Sequence, residues 1–338
     1  MAYHTHSWYD VEHAPVPADV IVYKEGNKAV AKDSKGRIIE EDSDLYNVLS
    51  SAIENGYHIY IASGSYKMYN TVETKAGRRI EGACKQAVQI YVMGDFPALK
   101  IISPLTWAED IIVEKLSIWA NTQGKGIGLQ VDAPRSVIIR DLQLLNLNYG
   151  VYVTKAWGDV IYNVRTAGCN YGIVIDDTNG GSQFRVISSQ FRGSSYDGVW
   201  LTPNNILSAH FIETISERSG RYNWNLEGGH IKLIDCYSEN GASTVADFNF
   251  GGATYEFIGK GSYNGKYGIN RGTITITAGN TSVTVNHGLV SKPSNVLATP
   301  LGDPGDRYWI DNVTDTTFDI VLASAPTSDV TFSWYAEV

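Results

Sequence analysis

Acidic residues recur in this chain at a spacing that acid–base chemistry can use. Asp132, Asp176 and Glu227 share one register of a rhythm of 22 to 26 residues, Asp177 lies beside Asp176, and Thr154, Thr202 and Gly251 hold the alternate places. Two carboxyl groups flanking a scissile bond serve as acid and base when their surroundings set one pKa above the other. Asp also caps turns through the neighbouring backbone, a structural role open to every member of this register. Two residues before each place stand Gln130, Tyr152, Val174, Trp200, Asn225 and Asn249. Aromatic faces beside amides suit a sugar ring, which stacks with its C–H face and hydrogen-bonds at its rim. The candidate catalytic residues are therefore Asp176 and Glu227 with Asp177 in reserve, and the candidate substrate-binding residues are Trp200, Tyr152, Asn225 and Gln130.

The elements that position these residues are read from the rhythm itself. Similar short strands begin at Gly128, Gly150, Gly172, Gly198, Asn223 and Asp247, at intervals of 22, 22, 26, 25 and 24 residues. Within them alternate residues are apolar: Leu129 and Val131, Val151 and Val153, Ile173 and Ile175, Val199 and Leu201, Trp224 and Leu226, Phe248 and Phe250. One face points inward. A second column keeps the same period: if Lys115, Asp141, Asn163, Ser188, Thr214, Asp235 and Gly259 are equivalent bends, the residue two before each is apolar. Several short strands per fixed repeat predict a parallel β-solenoid with coils from about residue 80 to 271, stacked about 4.8 Å apart. Tyr149, Tyr171 and Tyr267, each before a glycine, are placed to stack on successive coils. Two coil steps separate the backbones of Asp176 and Glu227 by about 9.6 Å, which suits an inverting glycosidase, whose carboxyl groups stand about 6.5–9.5 Å apart.

A solenoid needs covered ends. Leu45, Val48, Leu49, Ala52 and Ile53 follow helical spacing between Asp44, an N-cap, and Gly56, a C′ residue, so the chain predicts an amphipathic capping helix. Upstream, residues 20–41 alternate around "EGN" and "DSKG" and predict a hairpin or meander. Downstream of residue 271 the rhythm stops, and short Thr/Val strands spaced near ten residues predict an antiparallel sandwich.

The run Asp44, Ala52, Ile53, Gly56, Gly64, Tyr66, Ile80 and Gly82 resembles the start of pectate-lyase-like right-handed parallel β-helix proteins, phage tailspikes and depolymerases among them. The C-terminal stretch is similar to small β domains of tail-fibre proteins. That resemblance implies an all-β fold: a single-stranded right-handed parallel β-helix with an N-terminal capping helix and a C-terminal antiparallel β-sandwich. The expected partition is 1–43 as N-terminal segment and hairpin, 44–271 as β-helix with capping helix 44–55, and 272–338 as sandwich. Galacturonan hydrolases of this fold carry an Asp-Asp pair followed by G-H-G and R-I-K motifs; Asp176 and Asp177 match the first, but "GGHIK" at 228–232 lacks the G-H-G frame. Lyase action on an acidic glycan calls for groove cations, and Lys155, Arg185 and Arg192 are only loosely placed for it.

Composition narrows the partners. With 21 Tyr, 33 Gly, 19% charged residues and a formal charge of −9 without a basic stripe, the 338-residue chain argues against nucleic acid and favours a neutral glycan. No apolar run is long enough to span a bilayer, and "MAYHTHSWYD" shows no signal peptide, so no membrane insertion is expected. Cys84, Cys169 and Cys236 are too scattered for a disulfide framework and read as buried thiols. His4, His6 and His13 are read as part of a segment packed on a partner rather than a metal site; no metal and no cofactor are expected. Tyr308 and Trp309, after "GDPGDR", are expected to be buried. The reading is a tailspike-like, extracellular or virion-associated homotrimer that recognises a polysaccharide and is equipped to hydrolyse a glycosidic bond. Lyase chemistry is less favoured, and the alternative is a noncatalytic structural or adhesive protein, such as a virion fibre or cell-surface component.

Overall fold

The repeat winds the chain into coils of three short strands, and strands of successive coils pair in parallel. In a computed structural model the described residues are 18–338 other than 75, 103–109, 133–135, 179–182, 204–207, 240–246, 260 and 264. They fall into two compact units: one runs to Ile231 and includes Glu239–Thr254, and the other comprises Lys232–Ser238 and Tyr255–Val338. The N-terminal histidines lie outside the described residues.

The sheet that carries the candidate acids, here called the third sheet, consists of Val72–Thr74, Pro97–Ile102, Ile127–Asp132, Tyr149–Lys155, Tyr171–Ile175, Asp197–Leu201, Tyr222–Leu226 and Phe248–Phe250. Its register is the one expected from sequence: Leu129, Val151, Ile173, Val199, Trp224 and Phe248 lie opposite one another, and all are buried. Trp224 is fully buried, edge-on to Phe211 at 5.4 Å and stacked on Phe248 at 6.2 Å. Phe250, expected inside, is only half-buried, because its three-residue strand ends the described sheet; its ring leans on Phe248 at 5.0 Å.

Corners between the first sheet, which includes Arg79–Gly82, Ile111–Glu114, Val137–Arg140, Val160–Tyr162, Phe184–Ile187 and Ser208–Ile212, and the second, which includes Ser117–Ala120, Gln143–Leu145, Arg165–Ala167, Gln190–Arg192 and Ile215–Glu217, repeat a left-handed residue. Lys115, Asp141, Asn163, Ser188 and Glu213, and in the second unit Asp235 and Gly259, have φ between 46° and 83°. The backbone N–H of Lys115, Asp141, Asn163, Ser188 and Asp235 donates to a carbonyl of the following coil at 2.9–3.3 Å. The left-handed turn thus keeps the inter-coil ladder unbroken around the bend. Thr214 was expected at this place, and the structure moves the bend to Glu213. The reason is local: Thr214 turns inward and its hydroxyl donates to the carbonyls of Val186 and Ile212, both at 3.1 Å, while Phe211 rather than Ile212 enters the core.

The glycine that stands second in four third-sheet strands, Gly128, Gly150, Gly172 and Gly198, serves close approach rather than positive φ. A Cβ on Gly128, Gly150 or Gly172 would sit 2.6, 2.5 or 2.4 Å from the carbonyl oxygen of the next glycine in the column. The tyrosine before it does stack, with Tyr149 and Tyr171 rings 5.2 Å apart and 12° from parallel. Tyr267 does not continue the stack; the next partners of Tyr171 are Tyr196 and Trp200, and Tyr267 belongs to the second unit.

The helix Leu45–Asn55 buries all five predicted apolar residues, and Asp44 caps it by accepting from the Tyr46 and Tyr69 N–H groups. Gly56 is extended, not left-handed, and is glycine because a Cβ would lie 2.9 Å from Asp19 and Val20. The Arg78 side chain donates to the Ile53 carbonyl at 2.9 Å and so satisfies one orphan acceptor of the last turn. Val20–Glu25, Lys28–Asp33 and Ile38–Asp42 form the expected meander, and Val20–Glu25 pairs in parallel with His58–Ile61, one coil earlier than the repeat suggested.

In the second unit, strands Ile269–Ile276, Val330–Glu337 and Asn295–Pro300 form one antiparallel sheet and Ser282–Asn286, Thr317–Leu322 and Tyr308–Asp311 another. Their shared core contains Ile276, Phe318, Ile320, Phe332 and Trp334. Tyr308 and Trp309 are exposed, contrary to expectation, since Ile310 is the residue of that strand that packs on the core; the Tyr308 ring meets Phe332 edge-on at 5.3 Å. Cys169 and Cys236 are buried but Cys84 is exposed.

Close approach at the glycine column yields a stability prediction. Gly172→Ala forces a shift between coils and is expected to cost about 1–3 kcal/mol, as for an overpacked core. Gly302→Ala, where a Cβ meets nothing within 4 Å, is expected to be near neutral. Denaturant unfolding of the two variants checks this, and equal stability would refute the close-packing account.

Candidate functional site

The outer face of the third sheet is built by the same register that fills the core. Because side chains alternate across a strand, Gln130, Tyr152, Val174, Trp200, Asn225 and Asn249 form a single outward file. Val174 and Asn225 are covered by their neighbours, while Gln130, Tyr152, Trp200 and Asn249 are half-buried. Upstream, the file continues through Lys100 and Glu73, which pair at 3.4 Å.

The two principal acids stand two coils apart. The N–H of Thr202 donates to the Ile175 carbonyl and that of Glu227 to the Leu201 carbonyl, which fixes Asp176, Thr202 and Glu227 on consecutive coils. The middle coil supplies one donor to each acid: Thr202 Oγ1 to Asp176 Oδ1 at 2.5 Å, and Trp200 Nε1 to Glu227 Oε2 at 2.8 Å. The coil before adds Tyr152 OH to Asp176 Oδ2 at 3.1 Å, and the coil after adds Asn249 Nδ2 to Glu227 Oε1 at 3.5 Å. Neither acid forms an ion pair among the described residues. Burial first, then the Asp176 carboxylate that its hydroxyl touches, pushes Tyr152 up to about 12, so it remains a hydrogen-bond donor throughout the neutral range.

Beside the acids lies an aromatic cluster. Tyr149, Tyr196 and Trp200 each stack on Tyr171 with ring centroids 5.2–5.3 Å away, and Tyr152 touches Tyr149 at 5.2 Å. Trp200 is engaged on its rings by Tyr171 and by the Arg221 guanidinium at 5.6 Å, so the broad exposed ring of the cluster is Tyr196. Arg221 is itself clamped by both oxygens of the fully buried Asp197, which also accepts from Tyr222 N at 3.1 Å and Asn225 Nδ2 at 3.0 Å. That hydrogen bonding holds the Arg221 pKa above its ordinary value.

The remaining sequence candidates separate. Asp132 sits at the first end of the register and faces Lys155 at 3.7 Å. Asp177 is buried, and its Oδ2 accepts the Ala156 N–H at 2.9 Å, away from the surface on which Asp176 opens. Sequence reasoning missed Asp197, Arg221, Thr202 and the tyrosine stack as site components. Tyr149, Tyr171 and Asp197 occupy one strand position on successive coils, a column that read as punctuation because its glycine neighbour was the stronger signal.

Near Asp177, Asp159 is buried and accepts N–H groups from Val137 at 2.7 Å and Trp157 at 3.3 Å. Burial, reinforced by Asp177, raises its pKa to about 7. An acid whose folded pKa exceeds its unfolded value adds stability fully below the unfolded value and loses it as pH rises through the folded one. The stability contributed by Asp159 should therefore be lost between about pH 4 and pH 7, and the difference in unfolding free energy between the wild type and Asp159→Asn should shift in favour of the variant as pH rises across that range.

No family model matches the chain, and no curated protein matches its sequence. Among solved structures it is similar to the enzymatically active domain of bacteriophage CBA120 tailspike protein 2, with 12% identity and a TM-score of 0.51 over 70% of this chain and 46% of that one. It is also similar to Geobacillus virus E2 ORF18, at 15% identity and TM-score 0.44 over 86% and 72%, and to the Azotobacter vinelandii mannuronan C-5 epimerase AlgE4 A-module, at 14% and 0.37 over 56% and 71%. This chain spans just under half the length of the CBA120 domain. Together with the parallel coils described above, the likeness to that domain shows the fold: the chain is a parallel β-helix, similar to that of the CBA120 tailspike domain.

Proposed function

We propose that this protein binds a neutral polysaccharide along the third-sheet face and hydrolyses a glycosidic bond there, with Asp176 and Glu227 as the two carboxyl groups. The observation that carries the reading is their pairing across one intervening coil, each held by a donor from that coil and neither by a cation. A spacing of two coil steps, about 9.6 Å between backbones, leaves room for water as an inverting mechanism requires. Sugar contact falls to Tyr152, Tyr196, Gln130 and Asn249 at the surface, with Trp200, Tyr171 and Asn225 fixing them from beneath. Asp177 supports the turn that presents Asp176. Among the described residues, Lys100, Lys155 and Arg221 of this face are engaged by Glu73, Asp132 and Asp197 rather than open to a glycan carboxylate. That distribution disfavours an acidic substrate and the lyase reaction. The likeness to a structure described as an enzymatically active tailspike domain agrees with this reading.

A noncatalytic adhesive role is the second reading, and one observation favours it: both acids are already occupied by neighbouring donors. The two readings part on chemistry. With a panel of neutral and acidic surface polysaccharides, reducing-end release is expected on a neutral glycan, without unsaturated uronate. Asp176→Asn and Glu227→Gln should each lower turnover at least about 100-fold, in the range contributed by a positioned acid or base, with the thermal midpoint nearly unchanged. Binding without any cleavage by the wild-type chain would establish the adhesive reading instead.

We further place the protein on a virion as a homotrimer, associated side by side along its coils. The outer file of the first sheet supports this: beyond Arg140 it presents Tyr162, exposed, then Ile187 and Ile212, half-buried apolar residues on an outward face. Light scattering at micromolar concentration is expected to return three times the 37.1 kDa chain mass; the mass of one chain would dismiss the trimer.

A further inference from the structure

A cleft of about 500 Å³ opens in the second unit, shares no residue with the glycan face, and is lined by Gly259, Tyr267, Ile269, Asn270, Arg271 and Tyr335. Its volume is in the range of sites that hold a molecule of one or two rings, about 300–1,000 Å³. Antiparallel pairing puts Arg271 directly across from Tyr335 and Ile269 across from Glu337, so these side chains share one sheet face. The Tyr335 hydroxyl donates to Glu337 Oε2 at 2.5 Å and Asn295 Nδ2 donates to Glu337 Oε1 at 3.0 Å, which fixes the phenol ring and the acid beside it. Asn270 is spent on the backbone, donating to the His287 carbonyl at 2.7 Å and accepting from Arg271 N at 2.9 Å. Gly259, with φ 83°, keeps the floor open; a Cβ there would lie 2.2 Å from Asp235 Oδ1.

Within this cleft the guanidinium of Arg271 is exposed and makes no ion pair among the described residues. We propose that the cleft binds a sugar acid, with the carboxylate on Arg271 and the ring against Tyr267 and Tyr335. A guanidinium presents two parallel N–H groups that match a carboxylate, which makes it the natural anchor for that group. Two partly exposed phenol rings supply the stacking surface. Asp235, next to Gly259, and Glu337, next to Tyr335, offer carboxylate oxygens as hydrogen-bond acceptors for sugar hydroxyls, which selects a polyhydroxylated carboxylate over a simple fatty or aromatic acid. The preference is the reverse of that on the coil face, where Lys100, Lys155 and Arg221 are taken.

Titration of the full chain with the disaccharide of D-glucuronate, its methyl ester and the matching neutral disaccharide, followed by saturation-transfer NMR and calorimetry, tests the site. The free acid should bind at least 10-fold more tightly than its ester. Arg271→Gln should weaken the acid at least 10-fold, Arg271→Lys should restore part of it, and Asp176→Asn and Glu227→Gln should leave it unchanged. Thermal midpoints confirm folding, since Arg271 is a surface residue. Equal affinity for acid and ester, an unaltered Arg271→Gln variant, or loss of binding in the Asp176 and Glu227 variants would each overturn the proposal. So would an Arg271→Gln variant whose only change is its mass by light scattering, because the cleft would then be a contact between copies.

Discussion

Each coil hangs from the next by the peptide N–H at its corner. A non-glycine residue in the left-handed region costs roughly 1–2 kcal/mol, and the hydrogen bond it preserves returns about 1 kcal/mol net. The corner is therefore close to neutral in stability. What it secures is register: with the ladder carried around Asp141, Asn163 and Ser188, no coil can slip against its neighbour without leaving several buried donors unpaired. Side chains add to this, as Asn163 Nδ2 donates to the Asp141 carboxylate one coil before it at 2.6 Å.

Register in turn decides the chemistry of the surface. A slip of one residue in a strand exchanges its two faces, so the constraint that buries Trp224 is the one that presents Asn225 beside it and Trp200 a coil earlier. The glycine column sharpens the point. Carbonyl oxygens of successive coils pass so close to Gly128, Gly150 and Gly172 that no side chain fits, and the tyrosines preceding two of them are brought into ring contact by the same approach. Architecture and aromatic platform are consequences of one spacing.

How much of this the sequence discloses depends on whether a residue repeats. Inward apolar residues, the helix between Asp44 and Gly56 and the outward file from Gln130 to Asn249 recur at fixed intervals, and apart from Phe250 and Ile212 the structure holds them where the period put them. Features that occur once are not legible in that way. Thr214 passes for a bend because its hydroxyl gives no hint that two carbonyls will receive it inside. Asp177 looks equivalent to Asp176 until the Ala156 N–H claims it. Arg221 holds the place of Asn148, Asn170 and Tyr196 on the preceding coils but repeats none of them in type, and its place over Trp200 follows from Asp197, a buried acid that occupies what is a tyrosine position on the two preceding coils.

Two groups of acids in the first unit differ in what holds their side chains. Glu81 and Glu114, on the outer face of the first sheet, are nearly or fully buried beneath His58, Arg79, Lys115 and Arg140 at 2.6–3.0 Å. Removing one member of such a network leaves a buried charge unpaired at about 3–5 kcal/mol. These acids are fixed, and their work is to lock the early coils. Asp176 and Glu227 are held instead by hydroxyl, indole and amide donors. Exchanging one such bond for an equivalent one to a ligand hydroxyl involves a net difference on the order of 1 kcal/mol, which a bound sugar can supply through its own contacts. A donor such as Tyr152 or Asn249 can therefore yield to a substrate where Arg79 cannot yield to anything. Ease of exchange, more than the presence of carboxyl groups, separates acids open to an incoming hydroxyl group from acids that only lock the coils.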